Sequence, residues 1–202
     1  MLLGYFGGWF KLVIHLVLGG ARSGKSGFAE QHVANIVKAF PQHMDVIYIA
    51  TATAGDDEMN ARISRHQQDR ITSQLLWQTI ETPLALADCL NQIDKANQVI
   101  LVDCLTLYLS NHLLSLAPEQ LQNGILSSWQ TEKQQLLSTL AKMQSHVVLV
   151  SNEVGSGIVP MGELSREFVD QAGWLNQSVA LLADQVSLVV AGLPLSLKAP
   201  KF

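Results

Sequence analysis

An apolar run from Leu12 to Leu18 passes directly into GGARSGKS at residues 19–26, and a helical pattern follows to about Ala39. The octapeptide fits G-x-x-x-x-G-K-[ST], with Gly19, then four residues, then Gly24, Lys25 and Ser26. Glycines let a backbone curl until successive N–H groups point inward around a phosphate. A helix starting at the rim adds the positive end of its dipole. Lys25 is then placed to reach the outer phosphates, as a catalytic group, and the Ser26 hydroxyl to ligate Mg2+. A chance glycine-rich turn would lack the strand before it and the helix after it. The motif therefore predicts nucleotide binding through Gly19, Gly20, Ala21, Arg22, Ser23, Gly24, Lys25 and Ser26.

The rest of the chain repeats the same alternation. Further apolar runs stand at Val46–Ala50, Val99–Val102, His146–Val150 and Val186–Ala191. Between them lie helical patterns: a polar one from Asp56 to Arg70, a short one from Pro83 to about Ile93, and long ones at Glu119–Gln144 and Glu163–Asp184. Leu193–Leu197 is placed to pair back across Gly192. Strands without polar alternation are what a sheet buried on both faces requires. Alternation with helices predicts an α/β fold, a mostly parallel sheet with right-handed crossovers and a C-terminal strand pair.

Length and charge narrow the class. At 202 residues the chain is read as an N-terminal extension, 1–11, and a single domain, 12–202. With 48% apolar and 15% charged residues it is not disordered. A net charge of −4 excludes a nucleic-acid binder working by bulk positive charge. Cys89 and Cys104 fit no zinc or redox spacing, and two cysteines fit a reducing cytoplasmic setting. The first 18 residues are nearly long enough to span a membrane, but glycines, Lys11 and His15 interrupt them. No membrane association is expected, with an anchor as the alternative.

Two further features bear on chemistry. Asp103 follows the run VILV, where a carboxylate can organise the magnesium of a bound nucleotide. The alternative is an aspartate capping the next helix. In DDEMNARISRHQQDR, residues 56–70, helical spacing puts Arg62, His66 and Arg70 on one face. His66 there is a phosphate contact, a nucleophile at phosphorus, or an incidental histidine on a solvated basic face. Residue arithmetic alone favours the last.

GGARSGKS, VIYIATA, DDEMNARISRH, LVDCLT, VVLVSNEVGSGIVP and LSREFVDQAGWLNQ, taken in order, resemble one family over about Leu16–Lys198. It is the bifunctional cobinamide kinase / cobinamide-phosphate guanylyltransferase family of adenosylcobalamin biosynthesis. The resemblance implies a RecA-like P-loop fold and a homotrimer. It implies phosphorylation of adenosylcobinamide by ATP or GTP, then transfer of GMP from GTP through a GMP–histidine intermediate. His66 matches the family's nucleophile, which reverses the reading from residue arithmetic. Nucleotide contacts map onto Ala50, Thr51, Ala52, Gln67, Gln68, Asp69, Arg70, Glu81 and Asp103, with Ser26 and Asp103 as the metal ligands.

The chain departs from the family pattern at Ala52 (serine in some members), Asp103 (glutamate in some) and Ile71 (commonly proline), and in its N-terminal extension. Asn152, Glu153, Gly155 and Gly157 follow a strand end and read either as a substrate contact or as a tight loop. Trp9, Trp77, Trp129 and Trp174 read as core or interface, and the histidines at 15, 32, 43, 112 and 146 as structural or exposed. Two rival classes stay open: a P-loop small-molecule kinase without histidine chemistry, and a non-enzymatic nucleotide-switched binding protein.

Overall fold

The computed structural model describes residues 13–40, 43–53, 75–115 and 125–199. Strand β1 is Ile14–Gly19, helix α1 Lys25–Ala39, β2 Asp45–Ala50, β3 Trp77–Glu81, α2 Leu86–Ile93 and β4 Gln98–Asp103. There follow α3 Leu105–Leu114, α4 Ile125–Leu140, β5 His146–Asn152, α5 Glu163–Leu182, β6 Gln185–Val190 and β7 Leu193–Lys198. The described strands form one sheet in the order β3-β2-β4-β5-β1-β6-β7. All neighbouring pairs are parallel except β6 and β7.

The apolar runs become the middle of this sheet because both faces are covered. On one face Val17, Tyr48, Leu101, Val148 and Val150 pack with Ala29 and Val33 of α1. On the other, Leu16, Ile49, Ile100, Val102 and Leu149 pack with Leu90, Leu105, Leu109, Leu136 and Leu175 from α2 to α5. A strand buried on two faces has no polar side to show, so periodicity is lost and only the apolar run remains.

Several boundaries move for local reasons. β1 runs to Gly19 because that residue pairs with both Asn152 and Val189. The expected helix 119–144 ends at Leu140: the Asp94 carboxylate accepts the backbone N–H groups of Gln144 and Ser145 at 2.9–3.0 Å and pulls the chain toward β5. Helix α5 stops at Leu182, and Asp184 instead accepts Ile14 N–H at 3.1 Å. Two elements, β3 and α3, were not expected. Trp129 is core, 1% exposed, with Nε1 donating to Gln171 Oε1 at 3.0 Å. Trp77 is half-buried beside Tyr48, whereas Trp174 is 49% exposed and is not core. Trp9 and residues 1–12 lie outside the described residues.

A histidine cluster sits under α1. His15 is buried in β1, its Nε2 lies 2.9 Å from Ser187 Oγ, and its ring meets that of His32 edge-on at 4.4 Å. Burial holds the His15 pKa down to about 3, and His32 pushes the same way. His32 and His146 are lowered as well, first by burial. A histidine with a depressed folded pKa gives stability that is fully present above its unfolded pKa of about 6.5 and lost as pH falls. The urea midpoint should therefore drop between pH 7 and pH 5, with His15 alone approaching about 1.4 kcal/mol per pH unit below its unfolded pKa. A midpoint that stays flat or rises over that interval contradicts this assignment.

Candidate nucleotide site

The turn after β1 is shaped by close backbone packing. Gly24, with φ 93°, is the N-cap of α1, and Arg22 also takes a positive φ of 56°. A side chain on Gly24 would strain this conformation and press on Gly192 Cα, 3.1 Å from the Cβ position. At Gly19 a Cβ would lie 2.4 Å from Ser23 Oγ and 2.7 Å from the Val189 carbonyl oxygen. Gly19→Ala should therefore lower affinity for a nucleoside triphosphate at least tenfold by calorimetry and cost about 1–3 kcal/mol in urea unfolding. Wild-type affinity in that variant would mean the loop does not hold nucleotide in this shape.

Two contacts fix the loop to its surroundings and a third closes it on itself. Ser23 N–H donates to Gly20 O at 3.3 Å, Gly192 N–H to Ser23 O at 2.8 Å, and Glu153 N–H to Gly19 O at 3.1 Å. Gly192 belongs to the β6–β7 turn, where Ala191 and Gly192 have φ of 51° and 80°. Positive φ at both central residues matches the tight hairpin turn favoured by strand twist. Lys25 opens α1, is 4% exposed, and its Nζ donates to Gly20 O at 3.0 Å. No side chain caps α1 and no acid stands in its own first turn, so its N-terminal amides and the positive end of its dipole are left for the loop.

A second group of residues meets at the C-terminal ends of β2, β3 and β4. Ala50 is in register with Glu81 on one side and Asp103 on the other. The Thr51 hydroxyl donates to Cys104 O at 2.7 Å and accepts Cys104 N–H at 2.8 Å. The Asn111 amide donates to Thr51 O at 2.7 Å and Pro83 O at 3.1 Å. The Cys104 thiol is pushed up to about 11, by burial first and the Asp103 carboxylate next, with the Lys25 ammonium acting in the opposite direction. The charges of Asp103 and Lys25 are thus both felt at one buried sulfur.

The structure brings Gly19 to Ser26 together as one loop and first turn, and sets Ala50, Thr51, Glu81 and Asp103 along the same sheet edge. Ala52 follows Thr51 at that edge, half-buried. Arg22 is exposed, and Ser26 and Asp103 are half-buried. His66, Gln67, Gln68, Asp69, Arg70 and the helix expected over 56–70 lie outside the described residues. Between the two groups, Thr106 Oγ1 accepts Asn152 N–H at 2.6 Å and lies 3.3 Å from Ser151 Oγ. The Glu153 carboxylate accepts the N–H groups of Gly155 at 2.9 Å and Ser156 at 3.3 Å, bracing the turn after β5.

Asn111 and Thr106 were missed by sequence reasoning. The polar run Ser110–Asn111–His112 inside a leucine-rich segment was the available signal for Asn111.

A glycine loop between a central parallel strand and an uncapped helix, with a buried lysine at its rim, defines a phosphate-loop nucleotide-binding protein of the α/β class. The family model for cobinamide kinase / cobinamide phosphate guanyltransferase matches residues 15–197. The chain is 46% identical over 183 residues to the bifunctional adenosylcobalamin biosynthesis protein CobP of Pseudomonas aeruginosa, covering 91% of this chain and 96% of that one. It is 41% identical over 189 residues to the protein CobU of Salmonella typhimurium, and 37% identical over 188 residues to that of Escherichia coli. Each of these alignments covers 91% of this chain and 98% of the relative. The chain belongs to the cobinamide kinase / cobinamide phosphate guanyltransferase family, a family of enzymes. Among the described residues no helix is long and apolar enough to cross a membrane.

Proposed function

We propose that this chain phosphorylates the aminopropanol hydroxyl of adenosylcobinamide with a nucleoside triphosphate. It then transfers GMP from GTP to that phosphate, through a GMP adduct on His66, releasing pyrophosphate and forming adenosylcobinamide-GDP. The observation that carries the reading is the buried Lys25 at the rim of an uncapped phosphate loop, in a chain of this family.

In the first step the bond from γ-phosphorus to the bridging oxygen breaks, a bond to the substrate hydroxyl oxygen forms, and the nucleoside diphosphate and the hydroxyl proton are released. Positioning and charge neutralisation dominate such transfers. The loop amides from Gly19 to Ser26 hold the phosphates, and Lys25 neutralises their outer charge. In the second step the His66 imidazole displaces pyrophosphate from the α-phosphorus of GTP. The substrate phosphate then displaces histidine, restoring the neutral ring. A covalent intermediate divides the transfer and lets one pocket receive two substrates in turn. Ala50, Thr51, Ala52, Glu81 and the residues Gln67 to Arg70 contact the nucleotide in this reading.

Mg2+ takes one or two protein oxygens alongside substrate phosphates. A hydroxyl in the first turn of α1 and a carboxylate at the C-terminal end of β4 suit it, so Ser26 and Asp103 would hold it. Bound there, it would neutralise phosphate charge and ease departure of the leaving group.

The chain acts as a homotrimer in this proposal. Leu193, Leu195 and Leu197, all exposed along the edge strand β7, support assembly between copies. Sedimentation equilibrium reads that state.

Intact-protein mass spectrometry after incubation with GTP and magnesium tests the central claim. The expected result is a gain of one GMP, located at His66 by peptide mapping. ATP-dependent phosphorylation of cobinamide with no adduct would leave a kinase without histidine chemistry. Nucleotide turnover indifferent to cobinamide would mark a nucleotide-switched binding protein.

A further inference from the structure

Beside the phosphate loop runs a groove of about 380 Å3, between residues 154–160 and the outer face of α5. Its walls include Val154, Ile158, Val159, Val169 and Trp174, with Asp170 and Gln177 along the helix. Ile158 is 98% exposed, and Val159 and Trp174 are also open to solvent. Such a patch at the edge of a ligand site marks a surface made to be covered.

The groove is preformed and tied to the loop. Glu153 N–H donates to Gly19 O at 3.1 Å, so the segment leaves the sheet against the first residue of the phosphate loop. Arg166 Nη1 donates to Pro160 O at 3.3 Å and to Met161 O, holding the far end of the segment against α5. Asn176 Nδ2 donates to Asn152 O at 3.1 Å and fixes the other wall to the end of β5.

We propose that this groove seats one edge of the corrin ring of cobinamide, with ring methyls and methylenes against Val154, Ile158 and Trp174 and peripheral amides on Asp170 and Gln177. The inference rests on the function proposed above and adds the location of its acceptor substrate. A substrate hydroxyl that must meet a phosphate held in the loop leaves the bulk of its molecule on an adjoining surface. The adjoining surface here combines apolar walls with hydrogen-bonding side chains, as a macrocycle fringed with amides requires. The volume suits an edge of the ring rather than the whole molecule.

Ile158→Glu and Trp174→Ala test it in the full-length protein. Ile158 is so exposed that its replacement leaves the core untouched. Cobinamide binding is measured by equilibrium dialysis without nucleotide, KM values for cobinamide and for the triphosphate in the kinase assay, and mass by sedimentation. Both variants should weaken cobinamide binding and raise its KM at least tenfold, with KM for the triphosphate within twofold and mass unchanged. Wild-type cobinamide affinity in both variants overturns the inference while leaving the function standing. A rise confined to the KM for triphosphate would assign the groove to the nucleotide base, and altered mass with unchanged cobinamide affinity would assign it to a second copy. Either result overturns it. A wild-type protein that fails to bind cobinamide removes the function itself.

Discussion

Lys25→Ala is expected to lower kcat/KM for both phosphoryl transfer and GMP transfer by about 10²–10³-fold while the protein remains folded. The side chain is 4% exposed and bonded to Gly20 O at 3.0 Å, so its ammonium is already fixed where phosphate oxygens would gather. A charge held in place before the reaction needs no reorganisation as charge develops, which is why losing one such donor costs about 3–4 kcal/mol. Both steps start from a triphosphate, so both should suffer. Removing a buried ammonium also removes its desolvation penalty, and the thermal midpoint should shift by only a few degrees. The two activities are assayed separately, by labelled phosphate transfer to cobinamide and by pyrophosphate release from GTP with cobinamide phosphate supplied. Undiminished guanylylation in this variant would remove Lys25 from the second step.

His66→Ala should separate the activities that Lys25→Ala lowers together. GMP transfer is expected to fall below detection, at least 10³-fold, with phosphoryl transfer retained within about tenfold. Transfer of a γ-phosphoryl group to an alcohol proceeds through a loose transition state that needs no protein nucleophile. Displacement at the α-phosphorus in two steps does need one, and an alanine methyl cannot form the phosphorus–nitrogen bond. The GMP adduct should vanish from the mass spectrum with the activity. Equal loss of both activities, with an unchanged circular dichroism spectrum, would argue that His66 holds triphosphate and does not attack it.

What was legible in the sequence follows from which forces are local. The phosphate loop could be read because a glycine turn, a lysine and the start of a helix carry their chemistry within eight residues, Gly19 to Ser26. Strands β1, β2, β4 and β5 could be read because burial on both faces leaves an unbroken apolar run. β3 escaped because it is an edge strand, with Gln78, Thr79 and Glu81 exposed and only Trp77 and Ile80 half-buried. α3 escaped because LTLYLSNHLL is short, its polar residues Thr106, Ser110, Asn111 and His112 are spread around the helix, and no side chain caps it at Cys104. The Thr51 knot depends on partners 53 and 60 positions away, Cys104 and Asn111, and pairwise spacing in a single sequence gives no sign of them. Of the two readings for Trp174, core or interface, exposure removes the first; its place on the outer face of α5 comes from how that helix packs.

The hydrogen bond from Gly192 to Ser23 joins residues 169 positions apart (192 − 23), and it ties the loop to the β6–β7 turn. A nascent chain emerges from the ribosome in order, so the glycine turn is made early and this brace arrives only after β6 has been synthesised. A chain synthesised only as far as β6 would therefore present the glycine turn without the brace from Gly192.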